Sequence, residues 1–206
     1  DKNIRFIINH TKLPENHVEK FMDDKKTIEL VNGGFFGIAG SLSLVINQEK
    51  LLSKNPSTLI RNGTKHCVSR PAFYLNKENE PKISWIYTLD DKTYSLRDPL
   101  SSQNCSNIER LVMSKSAMKI DPTCAIGGGP MLINKGELIL NYEKELFMDD
   151  IIHSKAPRTA IGITSDQKII ILVSEGRLPE CKGVSLTTLS KILKDLGCVS
   201  AMNLDG

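Results

Sequence analysis

Apolar and polar residues alternate in short runs along most of the chain, and one stretch near the end switches to helical spacing. Residues 4–8 read as a short apolar strand. Pro14 fits the start of a helix that carries Val18, Phe21 and Met22 on one face, before a charged turn at 23–26. Residues 27–31 predict a strand that runs into Asn32-Gly33-Gly34-Phe35-Phe36-Gly37. Adjacent glycines there allow close approach of another group, with Asn32 at the strand's carboxyl end. Residues 43–47 predict a strand, and 48–66 read as polar and turn-rich. A β-meander follows, with strands at 73–75, 83–87 and 94–96 and turns at 76–81 and 90–91. Trp85 and Tyr87 share a strand face, where packing is favoured over stacking on a sugar. A loop at 97–107 and a helix at 108–118 come next.

Cys124-Ala125-Ile126 leads into Gly127-Gly128-Gly129-Pro130 and then Met131-Leu132-Ile133. Three glycines weaken a strand, so this run serves backbone conformation or close approach. No Gly-Lys-Ser/Thr follows, which excludes a Walker loop, but the amides offer a small anion nest. Residues 134–137 read as a turn, 138–140 as the returning hairpin strand and 142–152 as a helix.

The final fifty residues are the most regular. Strands are predicted at 159–164 and 168–174, the second continuously apolar at 169–173 as for a strand buried on both faces. Ser185 fits a helix N-cap, with Leu186, Leu189, Ile192, Leu193 and Leu196 at helical spacing and Gly197 as the stop. A last strand at 198–204 ends in Asp205-Gly206. Strand, helix, strand is a βαβ unit whose strands run parallel and end on one rim, where ligands bind in open α/β sheets. Glu175 and Asp205 are therefore expected on that rim, with Asn203 near them. The fold class expected is mixed α/β or α+β: a mixed sheet with flanking helices, a central meander and a C-terminal βαβ unit, in a single domain over 1–206.

Composition adds exclusions. At 206 residues, 40% hydrophobic and 25% charged, the chain is long enough for one sizeable core. Its net charge of +3 is small and the basic residues are scattered, which argues against a nucleic-acid partner. No apolar run is long enough for a membrane span. The chain begins at Asp1 without Met or a signal-like segment, as expected of a mature or trimmed form. Five cysteines (Cys67, Cys105, Cys124, Cys181 and Cys198) include no Cys-x-x-Cys pair and allow up to two disulfides. Asn9-His10-Thr11, Asn62-Gly63-Thr64 and Asn104-Cys105-Ser106 match the glycan-acceptor pattern.

Candidate chemistry centres on Ala156-Pro157-Arg158-Thr159-Ala160-Ile161-Gly162. Pro157 presets the backbone, Arg158 presents a planar charged fork suited to phosphate or carboxylate, and Thr159 adds a hydroxyl. Together with Asn32-Gly33-Gly34-Phe35-Phe36, Gly127-Gly128-Gly129-Pro130, Glu175-Gly176-Arg177 and the stretch from Gly183-Val184-Ser185 to Asn203-Leu204-Asp205-Gly206, this resembles the phosphodiester glycosidase family from about residue 28 onward. Glu175 stands where the family usually carries Asp, and the family's last motif continues beyond Gly206. Bacterial members are linked to exopolysaccharides.

The resemblance implies hydrolysis of a sugar-1-phosphodiester, such as one of N-acetylglucosamine, at the sugar's C1–O bond. Arg158 and Thr159 are then expected at the departing phosphate, and Glu175 and Asp205 as the carboxylates that stabilise the sugar carbon or activate water. Asn32, Gly33, Gly34, Gly127, Gly128, Gly129 and Asn203 are expected to orient sugar hydroxyls or phosphate oxygens. No cofactor is expected, although carboxylates and carbonyls suit calcium; His10, His17, His66 and His153 show no transition-metal spacing. The resemblance also implies a glycan or sugar-phosphodiester partner and a periplasmic, secreted or lumenal location. A non-catalytic carbohydrate- or phosphate-binding module on the same scaffold is the first alternative. A Cys67–His66 hydrolase is the second, disfavoured because neighbours on a strand point to opposite faces.

Overall fold

The computed structural model describes residues 4–10, 21–22, 26–140 and 142–206. Strands dominate. β1 (Phe36–Gly37) and β2 (Gly40–Ser41) form a small hairpin, followed by β3 (Val45–Asn47) and β4 (Lys50–Ser53), then β5 (Thr58–Arg61) and β6 (Thr64–Val68). The meander comprises β7 (Arg70–Leu75), β8 (Pro81–Leu89) and β9 (Lys92–Leu96), with β10 (Ser101–Ser102), α1 (Ile108–Met113) and β11 (Met118–Ile120) after it. β12 (Cys124–Gly127), β13 (Met131–Asn134) and β14 (Glu137–Leu138) lead through a 3-10 turn at Tyr142–Glu145 to α2 (Asp149–His153). β15 (Arg158–Thr164), β16 (Ile169–Ser174), α3 (Leu186–Asp195) and β17 (Cys198–Asn203) complete the chain.

Among the described residues every strand pair is antiparallel. A seven-stranded sheet has the order β11-β9-β8-β7-β12-β3-β4, and a five-stranded sheet the order β14-β13-β17-β15-β16. The two sheets face each other through Val45, Phe73 and Leu75 on one side and Ile161, Ile163, Met202 and Leu204 on the other. The opposite face of the five-stranded sheet is covered by α3, whose Leu186, Leu189 and Leu193 pack on Leu132, Ala160 and Ala201. Ser185 caps that helix by accepting from the Thr188 amide (3.1 Å), and Gly197 ends it at φ +86°. Trp85 and Tyr87 are core residues beside Leu96, Leu100 and Val112. The mixed α+β expectation thus holds in its coarse form, with sheet outweighing helix.

The βαβ unit is present, but its two strands are not neighbours. β15 lies between β16 and β17 and pairs antiparallel with both, which makes the outer two parallel. β16 is consequently an edge strand: Ile169 and Ile171 pack toward the facing sheet and Ile170 and Leu172 toward α3, yet Val173 is 61% exposed. An apolar run reports covered faces and is silent about which edges are paired.

Other boundaries differ from the sequence reading. Residues 4–8 and 27–31 form no strand, although Ile8 is buried in the intersheet core. Stretch 48–66 holds parts of three strands, joined by turns at Gln48-Glu49 and Asn62-Gly63 with positive φ. The helix expected at 108–118 ends at Met113 because Met118–Ile120 pairs with β9. The one expected at 142–152 breaks into the 3-10 turn and α2, with Leu146 at φ +54° between them. The expected helix carrying Pro14 and Val18 lies outside the described residues.

Candidate active site

Strand parity and register assemble the site. Side chains alternate along a strand, and directly opposed partners share a face. Ala160 lies opposite Asn203 and packs in the α3 layer, while Ile161 packs in the intersheet core. Arg158 has the parity of Ala160, so its side chain stands on the α3 face, as does that of Asn203. The start of β15 and the ends of β16 and β17 meet at one rim, since Arg158 opposes Ser174. A cleft of about 310 Å³ opens there, lined by Asp150, Lys155, Arg158, Arg177, Asn203 and Asp205, with Phe35 on one wall.

Arg158 is buried and partly committed. Its Nη2 donates to the carbonyls of Ile151 and Ser154 (both 2.9 Å), tying β15 to the end of α2, and its Nε to the Val184 carbonyl (3.4 Å). Among the described residues Nη1 has no acceptor, so one arm of the fork is available to a ligand. Burial lowers the Arg158 pKa, Tyr142 opposes that shift, and Arg177 adds to it. Burial raises the Asp205 carboxyl, while the Gly206 amide and Arg177 pull it down. Arg177 therefore acts electrostatically on both groups. Its backbone is at φ +59°, in the turn that follows β16.

The remaining expected residues divide. Thr159 has the opposite parity to Arg158, so it does not share the cleft. Its hydroxyl donates to Asn32 Oδ1, and Asn32 Nδ2 donates to the Asp205 carbonyl. The Asp205 amide donates to the Gly33 carbonyl (3.0 Å), which completes a clasp behind the cleft. Gly34 packs beside it, with an added Cβ reaching 2.1 Å from the Gly127 carbonyl oxygen. Asn203 Nδ2 donates to the carbonyls of Gly129 and Leu204. The amides of Gly127, Gly128 and Gly129 donate to the carbonyls of Leu44 (2.8 Å), Pro71 (3.1 Å) and Asn203 (2.7 Å), so this run offers no open anion nest. Its glycines serve approach instead: a Cβ on Gly128 would lie 2.6 Å from the Asn203 carbonyl oxygen. Glu175 is exposed and does not line the cleft, because parity turns it away from Ser174's face; the turn brings Arg177 back.

Arg177 belonged to a motif singled out in the sequence, but no role was expected of it. Lys155 and Asp150 carried no signal. Cys67 is disulfide-bonded to Cys105, which removes it as a nucleophile beside His66; Cys124, Cys181 and Cys198 are free. Among the described residues no three His, Cys, Asp or Glu side chains converge to hold a metal, and no helix is long and apolar enough to cross a membrane. A separate hollow of about 290 Å³ near Leu51–Lys54 is flanked by the Lys54–Asp91 ion pair (2.5 Å).

The phosphodiester glycosidase family model matches residues 25–206. The chain belongs to that family. Two solved structures share the fold. One is a hypothetical protein from Synechocystis (20% identity, TM-score 0.50), covered over 85% of this chain and 45% of its own. The other is the zebrafish N-acetylglucosamine-1-phosphodiester α-N-acetylglucosaminidase catalytic domain, auto-inhibited by its pro-peptide (21% identity, TM-score 0.54, 85% and 49%). The chain thus spans about half the length of either relative. No curated protein sequence matches it. The family-model match takes in the clasp, the glycine crossing and every charged residue of the cleft.

Proposed function

We propose that this phosphodiester glycosidase hydrolyses a sugar-1-phosphodiester at the C1–O bond, releasing free sugar and a phosphomonoester. The observation that carries the reading is the convergence of two guanidiniums, Arg158 and Arg177, with the half-buried Asp205 carboxylate in one cleft. A phosphomonoester leaves readily when a fixed cation meets its developing charge. The free arm of Arg158 and the Arg177 fork supply it, and Lys155 adds a third positive charge at the mouth. As the bond breaks, the electron pair departs on the phosphate oxygen and positive charge grows at C1. Asp205 stabilises that carbon or takes a proton from the water whose oxygen bonds to it. Thr159 and Asn32 act through Asp205 by fixing its backbone.

The zebrafish relative is named for an N-acetylglucosamine-1-phosphodiester, and a 2-acetamido sugar is the first substrate to try here. The Cys67–Cys105 disulfide supports an oxidising, extracytoplasmic setting. Incubation with UDP-N-acetylglucosamine or a sugar-1-phosphodiester, with free sugar as the readout, tests the proposal. Wild-type turnover lost by a hundredfold or more in Arg177→Ala, with an unchanged melting temperature, is expected. Equal activity in that variant rejects the phosphate role.

A further inference from the structure

Two buried polar atoms go without partners beside one strand. Glu145 and Trp85 are both core residues, and among the described residues neither Glu145 Oε2 nor the Trp85 indole nitrogen has a hydrogen-bond partner. Both groups meet β13. Glu145 Oε1 accepts from the Met131 amide (2.9 Å), and Trp85 shares a core cluster with the Met131 side chain. The charged and titratable groups that face Glu145 are few. Arg70 of β7 donates to its main-chain carbonyl rather than to its carboxylate. Arg61 of β5 acts on Arg70 and donates to the Leu146 carbonyl (3.0 Å). Tyr142, on the same turn as Glu145, shares a hydrogen bond with Ser190 Oγ (3.1 Å). Burial in this setting favours the neutral acid and pushes the carboxyl up to about 7.

The same short segment reaches the cleft. Phe147 lies under the Arg70 guanidinium (3.8 Å to the ring centroid) and against Phe35, a wall of the cleft (ring centroids 5.8 Å apart). α2 follows directly. Asp150, Ile151 and Ser154 line the cleft, and the carbonyls of Ile151 and Ser154 hold Arg158 Nη2 (both 2.9 Å). Ionising Glu145 places a charge in the core with one amide to receive it, and Arg70 is the cation that acts on it. A guanidinium that turns toward the carboxylate leaves the Glu145 carbonyl and the Phe147 ring, so the segment loses two of its anchors. We propose that Glu145 is a positioning residue for the cleft: the neutral acid keeps Arg70 on Phe147 and the segment from Phe147 through α2 in the place where Arg158 meets an anion, and ionisation loosens that hold. This rests on the phosphate-binding reading of the cleft and adds its regulation by pH.

Trp85 is the chain's single tryptophan, so its fluorescence reports on the Glu145 environment without turnover. Sulfate keeps one charge state across the neutral range and serves as the anion. Its binding to the full chain is measured by calorimetry at about pH 6 and about pH 8, and the fluorescence is titrated with and without saturating sulfate. Sulfate is expected to bind about fivefold more tightly at the lower pH, and to raise the fluorescence midpoint by about one unit, because the coupling is reciprocal. That midpoint shift is read on the wild type and needs no variant to fold. Glu145→Gln should remove the fluorescence transition and bring the two sulfate affinities within about twofold of each other. Phe147→Leu should keep the transition while sulfate no longer moves it, since the contact with Arg70 and Phe35 is cut. Sulfate that binds without moving the wild-type midpoint, or a pH dependence that survives Glu145→Gln, overturns the positioning role and leaves the phosphate reading intact. Absence of any fluorescence transition overturns it as well. No sulfate binding at either pH overturns the phosphate reading and this proposal with it.

Discussion

At the scale of single residues, Arg177 is the group whose role the structure changes most. It shifts Arg158 and Asp205 at once, so removing it should be visible in the pH dependence of turnover. Burial holds the Asp205 carboxyl above the ordinary aspartate range, and the ionised form is the one that stabilises C1 or takes a proton. Activity should therefore fall as pH drops through a value higher than that of an ordinary aspartate. Arg177→Ala should move that limb to higher pH, since a cation that favours the carboxylate is gone. Asp205→Asn should abolish the limb together with the activity. Glu175→Gln, at an exposed position off the cleft, should leave turnover within about twofold of wild type; a large loss there would return Glu175 to the mechanism. Arg158→Ala differs from Arg177→Ala in a checkable way. It should lower the melting temperature as well as turnover, because the guanidinium holds the carbonyls of Ile151 and Ser154.

Elements fix these side chains through register. Pairing of β15 with β16 on one side and β17 on the other places three chain-distant segments on one rim, and a slip of one residue would turn Arg158 into the intersheet core. The loops around the rim are drawn in by glycine. A Cβ on Gly176, Gly183 or Gly206 would come within 2.4 Å of the Ala156 or Pro157 backbone. The crossing between the two sheets depends on Gly128 in the same manner. Gly128→Ala should destabilise by about 1–3 kcal/mol, as overpacking does, read as a shifted denaturation midpoint with an unchanged slope. No loss of stability in that variant would mean that the crossing relaxes without strain.

On the scale of the whole molecule, Glu145 joins the sheets. Its Oε1 accepts from the Met131 amide of β13 (2.9 Å), and its carbonyl accepts from Arg70 of β7, whose guanidinium lies 3.8 Å from the Phe147 ring centroid. Burial raises the Glu145 carboxyl to about 7, against the pull of the Met131 amide, Trp85 and Arg70. The Trp85 indole N–H favours the charged form, yet neither it nor Glu145 Oε2 makes a hydrogen bond of ordinary geometry among the described residues. With the folded pKa above the unfolded one, the neutral acid favours folding. The Glu145 contribution to stability should be fully present below about pH 4.5 and be lost as pH rises through about 7, by roughly 3 kcal/mol at about 1.4 kcal/mol per unit. Glu145→Gln keeps an acceptor for Met131 and should flatten that slope in chemical denaturation. A slope equal to wild type would place the titrating group elsewhere.

The sequence by itself determined much of this. Local signals placed the meander, the Ser185-capped helix, the strand flanking Arg158 and the motif order that marks the family, because period, caps and glycine runs are properties of neighbouring residues. Short edge strands at 50–53 and 58–61 are not predicted because at sheet edges an apolar run is not required, although Asn62-Gly63 marks the hairpin of 58–61 with 64–68. Only the tertiary structure decided that Arg177 enters the cleft and Glu175 does not, that Thr159 is spent on Asn32, and that β15 separates β16 from β17. Those outcomes depend on pairing order and on which face a side chain takes at a sheet rim, and both are settled by contacts between segments far apart in the chain.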